Sequence, residues 1–130
     1  MNYLLIAGSR DFDDAETFDR VVREYIDIVG DEAGTVIVEG GAKGVDTLAR
    51  EYAEKNGIAY VEMKADWKKY GRAAGPKRNE AMTKYIFDMN GTALFFWDGK
   101  SKGTKNCIIN ANSLCIPVSI YRTDKRRLLK

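Results

Sequence analysis

Five short runs of apolar, β-branched or aromatic residues punctuate the 130-residue chain: Tyr3–Ala7, Thr35–Glu39, Ile58–Met63, Thr92–Trp97 and Pro117–Tyr121. Most are nearly continuous rather than alternating, the pattern of strands covered on both faces, as in a parallel sheet. The segments between them carry a helical period instead. Phe18, Val21, Val22, Tyr25, Ile26 and Val29 mark one buried helical face, and Val45, Leu48, Ala49, Tyr52 and Ala53 mark a second. Asn56-Gly57 supplies a C-terminal stop for the second helix. Met82, Tyr85, Ile86 and Met89 form a third stripe, and Cys107, Ile108, Ala111 and Leu114 a fourth. Asp13 with Glu16 reads as a capping box, and Gly75-Pro76 places proline at a first helical position.

The resulting order is β-α-β-α-β-α-β-α-β. Right-handed crossovers wind it into an α/β, Rossmann-like, three-layer α/β/α fold with a five-stranded parallel sheet of order 3-2-1-4-5. Residues 1–121 are expected to form one domain, and residues 122–130 a loose basic tail. That tail has a charge of +4 within a net +2, so the remaining residues sum to −2. A nucleic-acid partner is therefore disfavoured, because such binders carry positive charge on the folded body.

The chain contains no histidine, which removes every imidazole base, Ser-His-Asp triad and histidine-ligated zinc. Cys107 and Cys115 are too few for a disulfide framework and read as buried thiols in a reducing compartment. The apolar run near Met1 is too short for a signal peptide or a bilayer span. A cytoplasmic protein without a membrane partner, metal site or cofactor is the expectation.

Ligands of open α/β sheets sit beyond the carboxyl ends of the strands, where the winding reverses. In a 3-2-1-4-5 sheet that point lies between the first and fourth strands. The first loop is Gly8-Ser9-Arg10-Asp11. Its glycine permits close backbone approach, and its hydroxyl and guanidinium suit phosphate oxygens; an ordinary turn with Arg10 paired to Asp11 or Asp13 is the competing account. The second loop, Gly40-Gly41-Ala42-Lys43-Gly44-Val45-Asp46, presents backbone amides where a helix begins, and helix amides favour an anion. Tight packing also explains glycines there, and Asp46 suits either a helix cap or a ribose diol. The fourth-strand loop, Asp98-Gly99-Lys100-Ser101-Lys102-Gly103-Thr104, offers a second glycine-spaced set. A long connection from Lys64 to Gly75 carries Trp67 and Tyr70, suited to stacking on a base or to covering the sheet edge. Arg78 and Asn79 follow in the first turn of the next helix. Candidate ligand-binding residues are thus Gly8, Ser9, Arg10, Gly40, Gly41, Lys43, Gly44, Asp46, Trp67, Arg78, Asn79, Asp98, Ser101, Gly103 and Thr104.

Gly8-Ser9-Arg10, Gly40-Gly41-Ala42-Lys43-Gly44-Val45-Asp46, Gly75-Pro76-Lys77-Arg78-Asn79 with Met82, and Trp97-Asp98-Gly99 through Gly103-Thr104 together resemble the YspA-like branch of the SLOG superfamily, over about residues 2–121. The resemblance implies a bacterial or phage domain that binds a nucleotide or nucleotide-derived ligand (a nucleoside phosphate, ADP-ribose or an NAD-derived signal) as sensor or sponge. It also implies a homodimer. Relatives include LOG-type phosphoribohydrolases, which cleave the N-glycosidic bond of nucleoside monophosphates. In that pattern a helix arginine, matched here by Arg78, works with a glutamate, and Asn106 stands about where the glutamate is expected. An amide cannot serve as a base. The hydrolase alternative therefore takes Arg78 and Asp98 as catalytic residues, with Asp46 or Glu80 as other carboxylates. A third alternative is nucleic-acid binding through the loop lysines and the tail.

Overall fold

A computed structural model describes residues 1–29 and 33–129. Strands β1 (Asn2–Gly8), β2 (Thr35–Glu39), β3 (Ala59–Glu62), β4 (Thr92–Trp97), β5 (Val118–Arg122) and β6 (Arg127–Leu129) form one sheet in the order β3-β2-β1-β4-β5-β6. The first five strands are parallel, as the continuous apolar runs require. β6 comes from the segment expected to trail away as a tail. It turns back antiparallel on β5, pairing Ile120 with Leu129 and Arg122 with Arg127. Lys130, counted in that tail, lies outside the described residues.

The central strands β1, β2 and β4 each feed two cores through their period of two. Leu4, Ile6, Ile37, Leu94 and Phe96 face helices α1 (Ala15–Val29) and α2 (Val45–Asn56). Leu5, Ala7, Val38, Ala93 and Phe95 face α4 (Ala74–Asp88) and α5 (Lys102–Ser113). Both faces of these three strands are covered, whereas the edge strands β3 and β6 keep exposed residues. Burial of a side chain such as Leu5 contributes about 1.5–3 kcal/mol.

The helix boundaries refine the sequence reading. Asp14, not Asp13, caps α1: it accepts from Thr17 N–H at 3.1 Å and from the Thr17 hydroxyl at 2.6 Å. Gly57, at φ 66°, ends α2 as expected. Pro76 is the third residue of α4 rather than the first, still within the turn whose amides lack intrahelical partners. The long connection is not a plain loop. It holds a short helix α3 (Trp67–Tyr70), capped by Asp66, and a 3-10 turn (Gly71–Ala73) leading straight into α4. Cys107 is buried, but Cys115 is exposed, because it follows the end of α5 at a positive φ of 58°. Among the described residues no helix is long and apolar enough to cross a membrane.

Candidate functional site

β1 pairs with β2 on one side and β4 on the other, so the winding reverses between β1 and β4. A cleft of about 720 Å³ opens there. Its walls come from the β1 loop, the start of α2, α3, the first turns of α4 and the β4–α5 connection.

The β1 loop is held by backbone packing. A side chain at Gly8 would collide with the Phe96 carbonyl, and Ser9 N–H donates to that same carbonyl at 3.1 Å. Ser9 is only 4% exposed, lines the cleft, and its hydroxyl has no hydrogen-bond partner. A buried hydroxyl without a partner costs free energy unless something supplies one. Arg10 reaches across to α3, its guanidinium 5.8 Å from the Trp67 ring centre, and both line the cleft.

The glycine-rich turn into α2 is arranged differently from the expectation. Glu39 accepts from Gly41 N–H at 2.6 Å, and Asp46 accepts from Ala42 N–H at 3.1 Å. Val45 N–H donates to the Ser9 carbonyl at 3.3 Å. Gly44, at φ 76°, lies where a Cβ would meet the Ser9 and Arg10 carbonyls. These amides and glycines join β2 and α2 to the β1 loop. Ala42 and Asp46 line the cleft, whereas Gly40, Gly41, Lys43 and Gly44 are not among its lining residues. Burial holds the Asp46 carboxyl above the usual carboxylate range, partly offset by the Ala42 amide and the nearby Arg78 charge.

Arg78 and Asn79 reach the cleft from α4. Arg78 Nη1 donates to the Gly40 carbonyl, and its Nε donates to Asn79 Oδ1 at 2.9 Å. Asn79 Nδ2 points towards the Gly103 carbonyl at 3.3 Å and Asn106 Oδ1 at 3.4 Å. A polar chain therefore runs from the α2 turn through α4 to α5.

The β4–α5 connection keeps its helix end open. Asp98 Oδ1 accepts from Ser101 N–H at 2.7 Å and Lys100 N–H at 2.8 Å, which holds its pKa below the ordinary carboxylate value. Ser101 caps α5 with its hydroxyl. The first turn contains no acidic residue, and Ser101, Lys102, Gly103 and Thr104 all line the cleft. Nothing lies within 4 Å of where a Gly103 Cβ would stand.

One buried carboxylate escaped the sequence reading. Glu39 is 0% exposed and sits opposite Glu62 in the β2–β3 register. The Oε2 atoms of both carboxyls are buried and accept no hydrogen bond from any other group, which leaves them to each other. Burial, and after it the hydrogen bond to Glu62, pushes the Glu39 carboxyl up to about 8. Glu39 therefore holds a proton that it shares with Glu62, while Lys64 (3.5 Å) and Arg50 (3.6 Å) flank the ionised Glu62. The signal for it was an acidic residue ending each of two adjacent strands.

Three comparisons bear on this arrangement. The fold resembles DNA processing protein A from Streptococcus pneumoniae with a TM-score of 0.50 and 15% identity, over 91% of this chain and 58% of that one. The gene 61 protein of Mycobacterium phage D29 is 34% identical over 128 residues, which cover 91% of this chain and 94% of that protein. Residues 3–70, from β1 through α3, match the YspA, cpYpsA-related SLOG family, to which this chain belongs.

Proposed function

We propose that the cleft binds a phosphate-bearing nucleotide or nucleotide-derived ligand, as a sensor or sponge, with phosphate oxygens at the N-terminus of α5. The observation that carries this reading is the pairing of two unmet needs across one cleft. A helix N-terminus with no acidic residue in its first turn faces in from one wall, and the partnerless Ser9 hydroxyl lies buried in another. Helix amides and the macrodipole favour an anion, and a serine hydroxyl donates to one. Lys102 and Arg10 supply positive charge, and the half-exposed Trp67 ring offers a face for a base. Asn79 braces Gly103 from behind.

Titration calorimetry with AMP and ADP tests this. Saturable binding at micromolar concentrations is expected, and no heat up to millimolar ligand would overturn it. A second reading, N-glycosidic hydrolysis, draws on Asp46. A carboxyl whose pKa is raised by burial on a cleft wall is a candidate acid or base. Asp98 serves that role less well, because one of its oxygens already accepts two amides. Release of free base from nucleoside monophosphates, abolished by Asp46→Asn, would favour this second reading.

A further inference from the structure

Arg122, the last residue of β5, stands opposite Trp97, the last residue of β4, and the two side chains share one face of the sheet. The Arg122 guanidinium lies over the Trp97 ring, 5.4 Å from its centre. Asp124, in the turn before β6, holds the same guanidinium in a fork, accepting from Nε at 2.9 Å and from Nη2 at 2.7 Å. Gly99 packs against it as well: its φ is 80°, and a Cβ there would stand 2.3 Å from Arg122 Nη2. Trp97 in turn donates from its indole N–H to the Ser101 carbonyl at 3.0 Å, and its own carbonyl accepts from Thr123 N–H at 2.9 Å. Ser101 is the residue that caps α5.

We infer that Arg122 is a positioning residue for the anion site, a latch by which the C-terminal hairpin fixes the β4–α5 connection and the N-terminus of α5. The inference rests on the function proposed above and adds to it a residue from outside the cleft lining.

An anion site built from backbone amides depends on their placement, because each N–H must point at an oxygen within hydrogen-bond distance. The two amides that Asp98 engages shape the connection internally without attaching it to the sheet. Attachment comes from Trp97, through Ser101, and from Arg122, through Trp97 and Gly99. The absence of a side chain at Gly99 leaves room for the guanidinium. A guanidinium suits the task because it can stack on an aromatic ring and fork a carboxylate at once, which an ammonium cannot. Direct contact with phosphate is not its part, since Nε and Nη2 already serve Asp124 and the side chain does not line the cleft.

The test measures AMP binding to the full chain by titration calorimetry, alongside NMR spectra of the backbone and indole N–H groups. Arg122→Gln should weaken AMP binding by about tenfold or more, the cost of a site no longer held in its binding geometry. It should also shift the Trp97 indole and the Gly99 and Ser101 amide signals while those of β1 and β2 stay in place. Arg122→Lys should lose as much affinity, because it keeps the charge without the planar fork. Asp124→Ala, an exposed change that leaves β5 intact, should weaken binding in the same sense. AMP affinity within about twofold of the unaltered protein in both Arg122→Gln and Asp124→Ala overturns the latch. Full affinity in Arg122→Lys overturns it too, by reducing the role of Arg122 to charge. So does a loss of affinity in Arg122→Gln with the Trp97 and Ser101 signals unmoved, which would make Arg122 a phosphate ligand. Failure of the unaltered protein to bind AMP overturns the nucleotide reading instead; the hold on α5 is then decided by the Trp97 and Ser101 signals of Arg122→Gln, and unmoved signals overturn that as well.

Discussion

Two helices bring their N-termini to the same rim of the sheet, and they arrive in opposite electrostatic states. α2 enters through a glycine-rich turn, but its first turn carries Asp46, and the turn's amides go to Asp46, to Glu39 and to the Ser9 carbonyl. α5 enters through a neutral serine cap, has no acidic residue in its first turn, and has open space beside Gly103. The more glycine-rich turn is therefore the filled one. Glycine spacing makes close approach feasible, whereas a carboxylate in the first turn decides whether an anion from outside is still wanted. α2 neutralises itself, whereas α5 carries no carboxylate in its first turn.

The largest expected effect comes from making α5 resemble α2. Gly103→Asp puts a carboxylate into the open first turn at a position with room for it. Affinity for AMP should fall by about 2 kcal/mol or more, roughly thirtyfold, because like charges placed together in a site cost several kcal/mol. The same carboxylate should raise helix stability by about 0.3–1 kcal/mol through the macrodipole. Calorimetry and thermal unfolding should therefore move in opposite senses. Unchanged AMP affinity would place the phosphate elsewhere.

Arg78→Ala probes the other side. Arg78 serves the Gly40 carbonyl and Asn79, so its loss leaves a buried backbone acceptor without its guanidinium. Urea unfolding should show a loss of about 1–3 kcal/mol. AMP affinity should fall less than in Gly103→Asp, because this arginine braces the α2 turn. A larger loss of affinity than of stability would make Arg78 a direct phosphate ligand instead.

The sheet was legible because burial on both faces leaves an unmistakable trace. Val36, Ile37 and Val38 could belong only to a strand with no solvent side, and the strand order followed from handed crossovers. β6 was not legible, since three residues with two leucines between charges carry no periodic signal and depend on β5 for a partner. Within the site, the strand-end loops could be located, but the ownership of their amides could not. Gly41 and Ala42 look the same in sequence whether their N–H groups meet a ligand or the protein's own Glu39 and Asp46. Glu39 itself stood in plain view as the last residue of a strand. Only its register opposite Glu62 makes it a proton-holding pair.

That pair makes the filled side of the comparison sensitive to pH. The folded Glu39 carboxyl keeps its proton to about pH 8, whereas an unperturbed glutamate releases it near 4.5. Its contribution to stability is therefore complete below about pH 4.5 and is lost as pH rises to about 8, above which the curve flattens. The slope is at most about 1.4 kcal/mol per pH unit. Glu39→Gln, uncharged at every pH, should remove this decline and keep the Gly41 contact. An identical slope in the variant, measured by urea unfolding from pH 5 to 9, would assign the decline to other groups.

The smallest effect separates helix amides from the hydroxyl that caps them. Ser101 accepts from Thr104 N–H at 3.5 Å and shares a 3.1 Å contact with the Thr104 hydroxyl, a cap that α2 lacks because its entering residue is Gly44. Ser101→Ala should cost about 1 kcal/mol of stability, the usual value of a serine N-cap. It should change AMP affinity by no more than about twofold, because the amides that would meet the phosphate belong to the backbone and survive the substitution. A loss of affinity as large as that of Gly103→Asp would transfer recognition from the helix end to the serine side chain. The contrast between α2 and α5 would then be one of hydroxyls rather than of carboxylates.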